Sequence, residues 1–230
     1  MEEPLLYINL PGLEHYPHVT CTWVIMIILG VASYLATRRL KTIMVAGNIC
    51  LLPEGGHNFF EAAVEWIANF MDKNMGHGGK KYLPLIGTLA FFILSCNLIG
   101  LIPGFVSPTA NINTNAAMAV VVFLSYHYIG IKKHGIVKYI KSFTGPIWWM
   151  APLMLPVEII SHLARPLTLT LRLFGNIKGE DIILVILASV FPLLAPVPMM
   201  FLAILTSIIQ TVIFSLLSMF YIAGALEEHH

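Results

Sequence analysis

Three stretches of this chain, residues 20–37, 82–131 and 182–226, contain no Asp, Glu, Lys or Arg. A helix needs roughly 20 predominantly apolar residues to cross the hydrocarbon of a bilayer, and runs of this kind supply them. The charges that do occur are few and clustered: 11% of residues are charged and 57% hydrophobic, with a mean hydropathy of +0.81. Soluble domains carry about 25% charged residues. The chain therefore reads as an all-α, polytopic membrane protein. A net charge of +1 gives no nucleic-acid signal.

The basic residues orient it. No Lys or Arg precedes Arg38, whereas residues 38–81 hold Arg38, Arg39, Lys41, Lys73, Lys80 and Lys81. By the positive-inside rule the N-terminus (1–18) lies outside, a first span covers 19–37, and 38–82 is cytoplasmic. Within that segment Phe59, Ala63, Trp66, Ile67 and Phe70 make one apolar stripe on a helix at 58–71. This helix is too short and too polar to span, so an interfacial position is expected. A second span, 83–105, leads to an uncharged outside loop at 106–115. A third, 116–131, returns to a basic loop at 132–143 with Lys132, Lys133, Lys138 and Lys141. Beyond it, 144–194 and 199–226 form two long helices separated by Ala195, Pro196, Val197 and Pro198. Both exceed a perpendicular crossing and are expected to tilt. About five crossings put the C-terminus in the cytoplasm, and the whole chain, 1–230, is expected to form one membrane domain.

Arg172 is the charge that this solvent least tolerates. It sits in the apolar run 167–176, and a cation at mid-membrane costs about 2.5–3.5 kcal/mol on insertion scales. Its guanidinium stays protonated there, because its pKa exceeds about 12. Glu158, Ser161, Arg165, Thr168, Arg172 and Asn176 recur at helical spacing and form one polar ridge. Ionisable groups in membranes face a partner or a water-filled cavity. No acid lies within a turn of Arg172, so an ion pathway accounts for it better than a structural salt bridge with Glu180 or Asp181. For Glu158, a surface pair with Arg165 or with lipid headgroups competes with a functional role. The last helix offers Ser207, Gln210, Thr211, Ser218 and Tyr221 as polar points. Helix–helix hydrogen bonding explains the hydroxyls, while Gln210 has both donor and acceptor capacity.

Other chemistry is excluded by pattern. Cys21, Cys50 and Cys96 show no CxxC spacing and suit small core positions. The nine histidines are scattered, and Pro17 intervenes between His15 and His18, so no metal site is expected. A haem would need paired intramembrane histidines, and only His127 lies in a charge-free span. Met1, Glu2, Glu3 and Pro4 offer no basic n-region for a cleaved signal peptide.

The run PLTLTLRLFGN at 166–176 resembles the signature of subunit a of F-type ATP synthases, as do NLIGLIPG at 97–104 and SPTANINT at 107–114. Gln210, in a terminal helix ending in Glu227, Glu228 and His229, is a third match, and the likeness extends over about residues 15–229. The resemblance implies a non-catalytic, proton-translocating stator subunit without cofactors. Such a subunit lies beside a ring of c subunits, is held by b subunits of the peripheral stalk, and is embedded in the lipid of the cell inner membrane. The family's essential arginine falls on Arg172, which would pair with the ring carboxylate between two offset half-channels. Asn176 and Gln210 fall beside it, and Glu158, Ser161 and Arg165 on the cytoplasmic side. The outer acid aligns with Asp181 next to Glu180, leaving either or both in the role. A histidine that some members carry seven residues before Gln210 is Ala203 here, and an acid common in the family is Gly100.

Two other classes remain in view: a stand-alone channel or transporter in which Arg172 binds an anion, and an assembly subunit without an ion path. Transporters commonly repeat their broken helices in both halves, and the first three spans offer no counterpart to the Arg172 segment. An assembly subunit would have no use for a polar stripe.

Overall fold

A computed structural model describes residues 17–45, 56–76, 78–102, 105–142, 151–190 and 196–226. The N-terminal segment 1–16, Cys50, Pro103 and Gly104, the start of the expected helix at 144–150 and the terminal Glu227, Glu228 and His229 lie outside them. The described residues form seven α-helices and no strand: α1 Pro17–Val45, α2 Gly56–Met75, α3 Leu83–Ile99, α4 Ile112–His134, α5 Ile136–Ser142, α6 Ala151–Val190 and α7 Pro196–Leu226. Single 3-10 turns, Gly79–Tyr82 and Pro108–Ala110, lead into α3 and α4.

Four segments are long and apolar enough to cross a membrane: His18–Leu35, Gly79–Ile99, Ile112–His134 and Val197–Leu226. Helix α6 has 40 residues, about 60 Å at 1.5 Å per residue, twice the hydrocarbon thickness. It is not among the four because Glu158, Arg165, Arg172, Lys178, Glu180 and Asp181 all lie on it.

The chain divides after Pro108 into two compact units. In the first, α1 and α2 each pack on α3. Cys21 and Ile25 of α1, Ile67 and Met71 of α2, and Ile86, Leu89, Ile93 and Cys96 of α3 are buried. Trp66 of the amphipathic helix is exposed, stacked on Phe70 at 5.4 Å, while Ile67 turns inward. Where the chain leaves α3, Ser107 Oγ donates to the Cys96 carbonyl at 2.9 Å. This fold-back explains Gly100, since a Cβ there would lie 2.5 Å from the Ser107 Cβ. An acid at position 100 has no room in this arrangement.

The second unit is built around α4, which packs on both α6 and α7 while those two pack on each other. Asn111 caps α4 by accepting from the Asn113 N–H at 2.9 Å, and the buried Asn115 amide donates to the Thr109 carbonyl at 2.7 Å. Gly135 ends α4 at φ +79°, a left-handed conformation that favours glycine, and α5 then folds back on α4. Lys133 Nζ donates to the Leu226 carbonyl at 2.6 Å, tying the C-terminal ends of α4 and α7 together. On α7 the buried residues Ala203, Ser207, Gln210, Thr211, Phe214, Ser215, Ser218, Met219 and Ile222 follow the three–four spacing of one face. Small and hydroxyl residues let membrane helices approach closely. Their hydroxyls bond back along their own helix rather than across it: Thr211 to Ser207, Ser215 to Thr211 and Ser218 to Phe214, at 2.8–2.9 Å.

Candidate functional site

Helix α6 carries three stripes, spaced about 120° apart at ~100° per residue. Leu169, Leu173 and Ile177 are buried and pack the helix into its unit. Leu163, Leu167 and Leu171 are exposed and apolar, with Ile160, Ile182 and Val185 continuing that side. The polar ridge is the third stripe. Ser161, Thr168, Arg172 and Asn176 on it are exposed, and Glu158 and Arg165 half-buried. The ridge is thus neither core nor part of the apolar outer side. Pro166 lies inside the helix and supplies no N–H to the His162 carbonyl four residues back, and the Thr170 hydroxyl donates to the Pro166 carbonyl at 2.7 Å.

Arg172 projects from the chain and, among the described residues, makes no hydrogen bond or ion pair. Its neighbour one turn on, Asn176, donates from Nδ2 to Gln210 Oε1 at 2.8 Å. Gln210 is 1% exposed, and its Nε2 has no partner among the described residues. A Cβ at Gly175 would touch nothing, so the chain's own packing does not demand glycine beside Arg172.

Cross-helix contacts fix α6 and α7 as antiparallel. Arg165 lies 5.2 Å from the Tyr221 ring, Asn176 bonds Gln210, and Glu180 lies against the Thr206 hydroxyl. Each step forward on α6 matches a step back on α7. Glu158, Ser161 and Arg165 therefore share an end of this unit with Lys133 and the α7 C-terminus, while Glu180 and Asp181 lie toward the other end, with Arg172 between. Along α6, Glu158 is about 21 Å and Asp181 about 14 Å from Arg172. Lys178, three residues earlier, is the cation closest to Asp181 on the chain and acts on it electrostatically.

The partner of Glu158 is His162, not Arg165. Glu158 Oε1 lies 3.2 Å from His162 Nε2, and His162 Nδ1 lies 3.0 Å from the Tyr126 hydroxyl of α4. Arg165 instead sits over the Tyr126 ring at 5.7 Å and the Tyr221 ring. His127 stacks on His162, with centroids 5.2 Å apart and planes 20° apart, and its Nδ1 lies 2.6 Å from the Tyr139 hydroxyl of α5. Burial raises the Tyr139 phenol above its ordinary pKa, so it keeps its proton and shares one hydrogen bond with the His127 ring. Gly130 makes this contact possible, because a Cβ there would lie 2.5 Å from the Tyr139 ring. Sequence spacing singles out neither His162 nor Tyr126. The available signal was His162 four residues after Glu158, one turn along the same helix. Among the described residues no three His, Cys, Asp or Glu are grouped to hold a metal ion.

The sequence matches the family described as ATP synthase A chain over residues 19–223. It is 52% identical over 225 residues to ATP synthase subunit a 1 of Syntrophotalea carbinolica, covering 96% of this chain and 92% of that protein. It is 48% identical over 240 residues to ATP synthase subunit a of Trichlorobacter lovleyi, covering both chains completely. It is 51% identical over 212 residues to ATP synthase subunit a of Geobacter sulfurreducens, covering 92% of this chain and 88% of the relative.

Proposed function

The chain belongs to the ATP synthase A chain family, and from that premise we propose that it is the non-catalytic stator of the membrane sector, carrying protons past a ring of c subunits. The observation that carries the reading is Arg172, outward-facing and unpaired among the described residues, between acids toward opposite ends of one antiparallel helix pair. A permanent cation at that place has no counter-ion among the described residues. A carboxylate arriving on a ring subunit would supply it, gaining about 4 kcal/mol at 4 Å and an effective dielectric constant near 20. That attraction favours the ionised carboxylate, so the group gives up its proton as it approaches. The same charge repels a proton hopping directly between the two sides. Glycine at 175 leaves the flank of Arg172 open to a close-packed partner helix.

The two groups of acids then serve separate half-channels. Glu158 and Ser161, on the side of the basic loop, lead to the cytoplasm, with Arg165 next to them. Glu180 and Asp181 lead to the outside, and Asn176 with Gln210 line the wall beside Arg172. The span from Glu158 to Asp181 is about 35 Å, close to the ~30 Å hydrocarbon thickness. Each charge crossing releases about 2.3 kcal/mol per 100 mV, so several crossings drive a large rotational step. In this reading the chain is one multi-pass domain of the cell inner membrane, with α6 as a fifth crossing, α2 at the cytoplasmic interface, the N-terminus outside and the C-terminus in the cytoplasm. Its protein partners are the c-ring and the b subunits of the peripheral stalk.

The test is Arg172→Ala in the whole complex, measuring ATP-driven proton pumping and passive leak in membrane vesicles. Lost pumping together with raised leak is expected, and normal pumping refutes the mechanism. Glu180→Gln and Asp181→Asn, made separately, identify the outer acid by which one slows pumping.

A further inference from the structure

His162 and the rings around it have no place in the scheme above, yet together with Glu158 and Arg165 they draw on four helices. Glu158 and His162 come from α6 with Arg165, Tyr126 and His127 from α4, Tyr139 from α5, and Tyr221 from α7. The hydrogen-bond pattern assigns the protons. An ionised Glu158 only accepts, so His162 Nε2 carries the hydrogen that faces it at 3.2 Å. The neutral ring's Nδ1 is then an acceptor, and the Tyr126 hydroxyl donates to it at 3.0 Å. Tyr126 is almost wholly buried and cannot swing away, and the His127 ring stacked on His162 restricts its plane. His127 is itself held by Tyr139 at 2.6 Å, in the space that Gly130 leaves. The side chain of His162 is 14% exposed and that of Glu158 38%. The histidine is thus the inner member of the pair and the carboxylate the outer one.

We propose that His162 is a positioning residue: Tyr126 fixes its tautomer, and its Nε2–H holds the Glu158 carboxylate in one orientation in the ion path. The inference rests on the reading of Glu158 as a half-channel group. A carboxylate on a mobile side chain has several rotamers, and a locked donor one turn away selects among them. Its electrostatic surroundings are Tyr126 and His127 from α4, Tyr139 from α5, Arg165 from α6 and Tyr221 from α7. Arg165 is the one permanent cation among these, and it is the neighbour that opposes a positive charge on His162.

The experiment uses the complete ATP synthase in membrane vesicles and compares His162→Gln, His162→Leu and Tyr126→Phe with the parent and with Arg172→Ala. Glutamine can donate to Glu158 and accept from Tyr126, so H162Q is expected to keep at least half of the pumping rate. H162L loses the donor and is expected to pump several-fold more slowly, with Y126F slowed in smaller degree. In a Glu158→Gln background there is no carboxylate to position, so H162L is expected to add no further loss there, whereas a purely structural histidine would lower the rate equally in both backgrounds. Equal loss in both backgrounds overturns the proposal, and so does failure of H162Q to pump in assembled complexes. If Arg172→Ala pumps normally, the parent reading of the ion path has failed. If Arg172→Ala loses coupling while H162L matches the parent in rate, only the role of His162 has failed.

Discussion

Gly130 lies in the middle of the second unit's packing, and the structure predicts a substitution there whose sign depends on another residue. An alanine Cβ at 130 would stand 2.5 Å from Cε2 of the Tyr139 ring, with Cδ2 and Cζ at 3.1 and 3.2 Å. The ring must move, and its hydroxyl, 2.6 Å from His127 Nδ1, moves with it. Overpacking of this kind costs about 1–3 kcal/mol, and the lost hydrogen bond about 1 kcal/mol. Against this, replacing glycine by alanine inside a helix contributes about 1 kcal/mol of stability. Gly130→Ala alone should therefore destabilise by about 1–3 kcal/mol. In a Tyr139→Ala background the clash is gone, and the same change should stabilise by up to about 1 kcal/mol. The pair is to be measured as a double-mutant cycle of unfolding midpoints in mixed detergent micelles titrated with SDS. The expected coupling is about 2–4 kcal/mol, the difference between the two backgrounds. Equal destabilisation by Gly130→Ala in both would refute the reasoning, because the ring contact would then play no part.

The close approach at Gly100 behaves alike within the first unit. Gly100→Ala is expected to cost about 1–3 kcal/mol in the same titration, and less in a Ser107→Gly background, which lacks the Cβ that it meets and, in both members of that comparison, the bond to the Cys96 carbonyl. The Asn176–Gln210 bond should appear as a coupling of about 0.6–2 kcal/mol between Asn176→Leu and Gln210→Leu, and strictly additive losses would show that the contact is not maintained in lipid.

Much of this protein is legible in its residues taken one helix at a time. The charge-free runs mark the spans because a bilayer punishes charge over a defined length. The order Glu158, Ser161, Arg165, Thr168, Arg172, Asn176 marks a polar ridge because side chains three and four apart share a face of any helix. Gln210 is prominent for its donor–acceptor capacity, and it is the residue that meets Asn176. The Thr211 and Ser218 hydroxyls, expected to bond between helices, donate instead along their own, since a carbonyl four residues back is always within reach. Glu158 shows the opposite failing of local reasoning. Arg165 is its nearby cation in sequence, yet Arg165 is drawn onto the Tyr126 and Tyr221 rings while His162 takes the carboxylate.

Local periodicity and transfer cost account for the solvent, the helical spans, the two long C-terminal helices and the ridge that carries Arg172. The packing of the helices selected which residues meet. It set the antiparallel register that opposes Arg165 to Tyr221 and Asn176 to Gln210, and the choice of His162 as the partner of Glu158. It also set the spaces at Gly100 and Gly130 that two side chains fill. The physical reason is that α4, α6 and α7 each present faces of similar polarity at the same spacing. Periodicity shows which residues share a face, and the packing of one helix against another selects which faces come into contact.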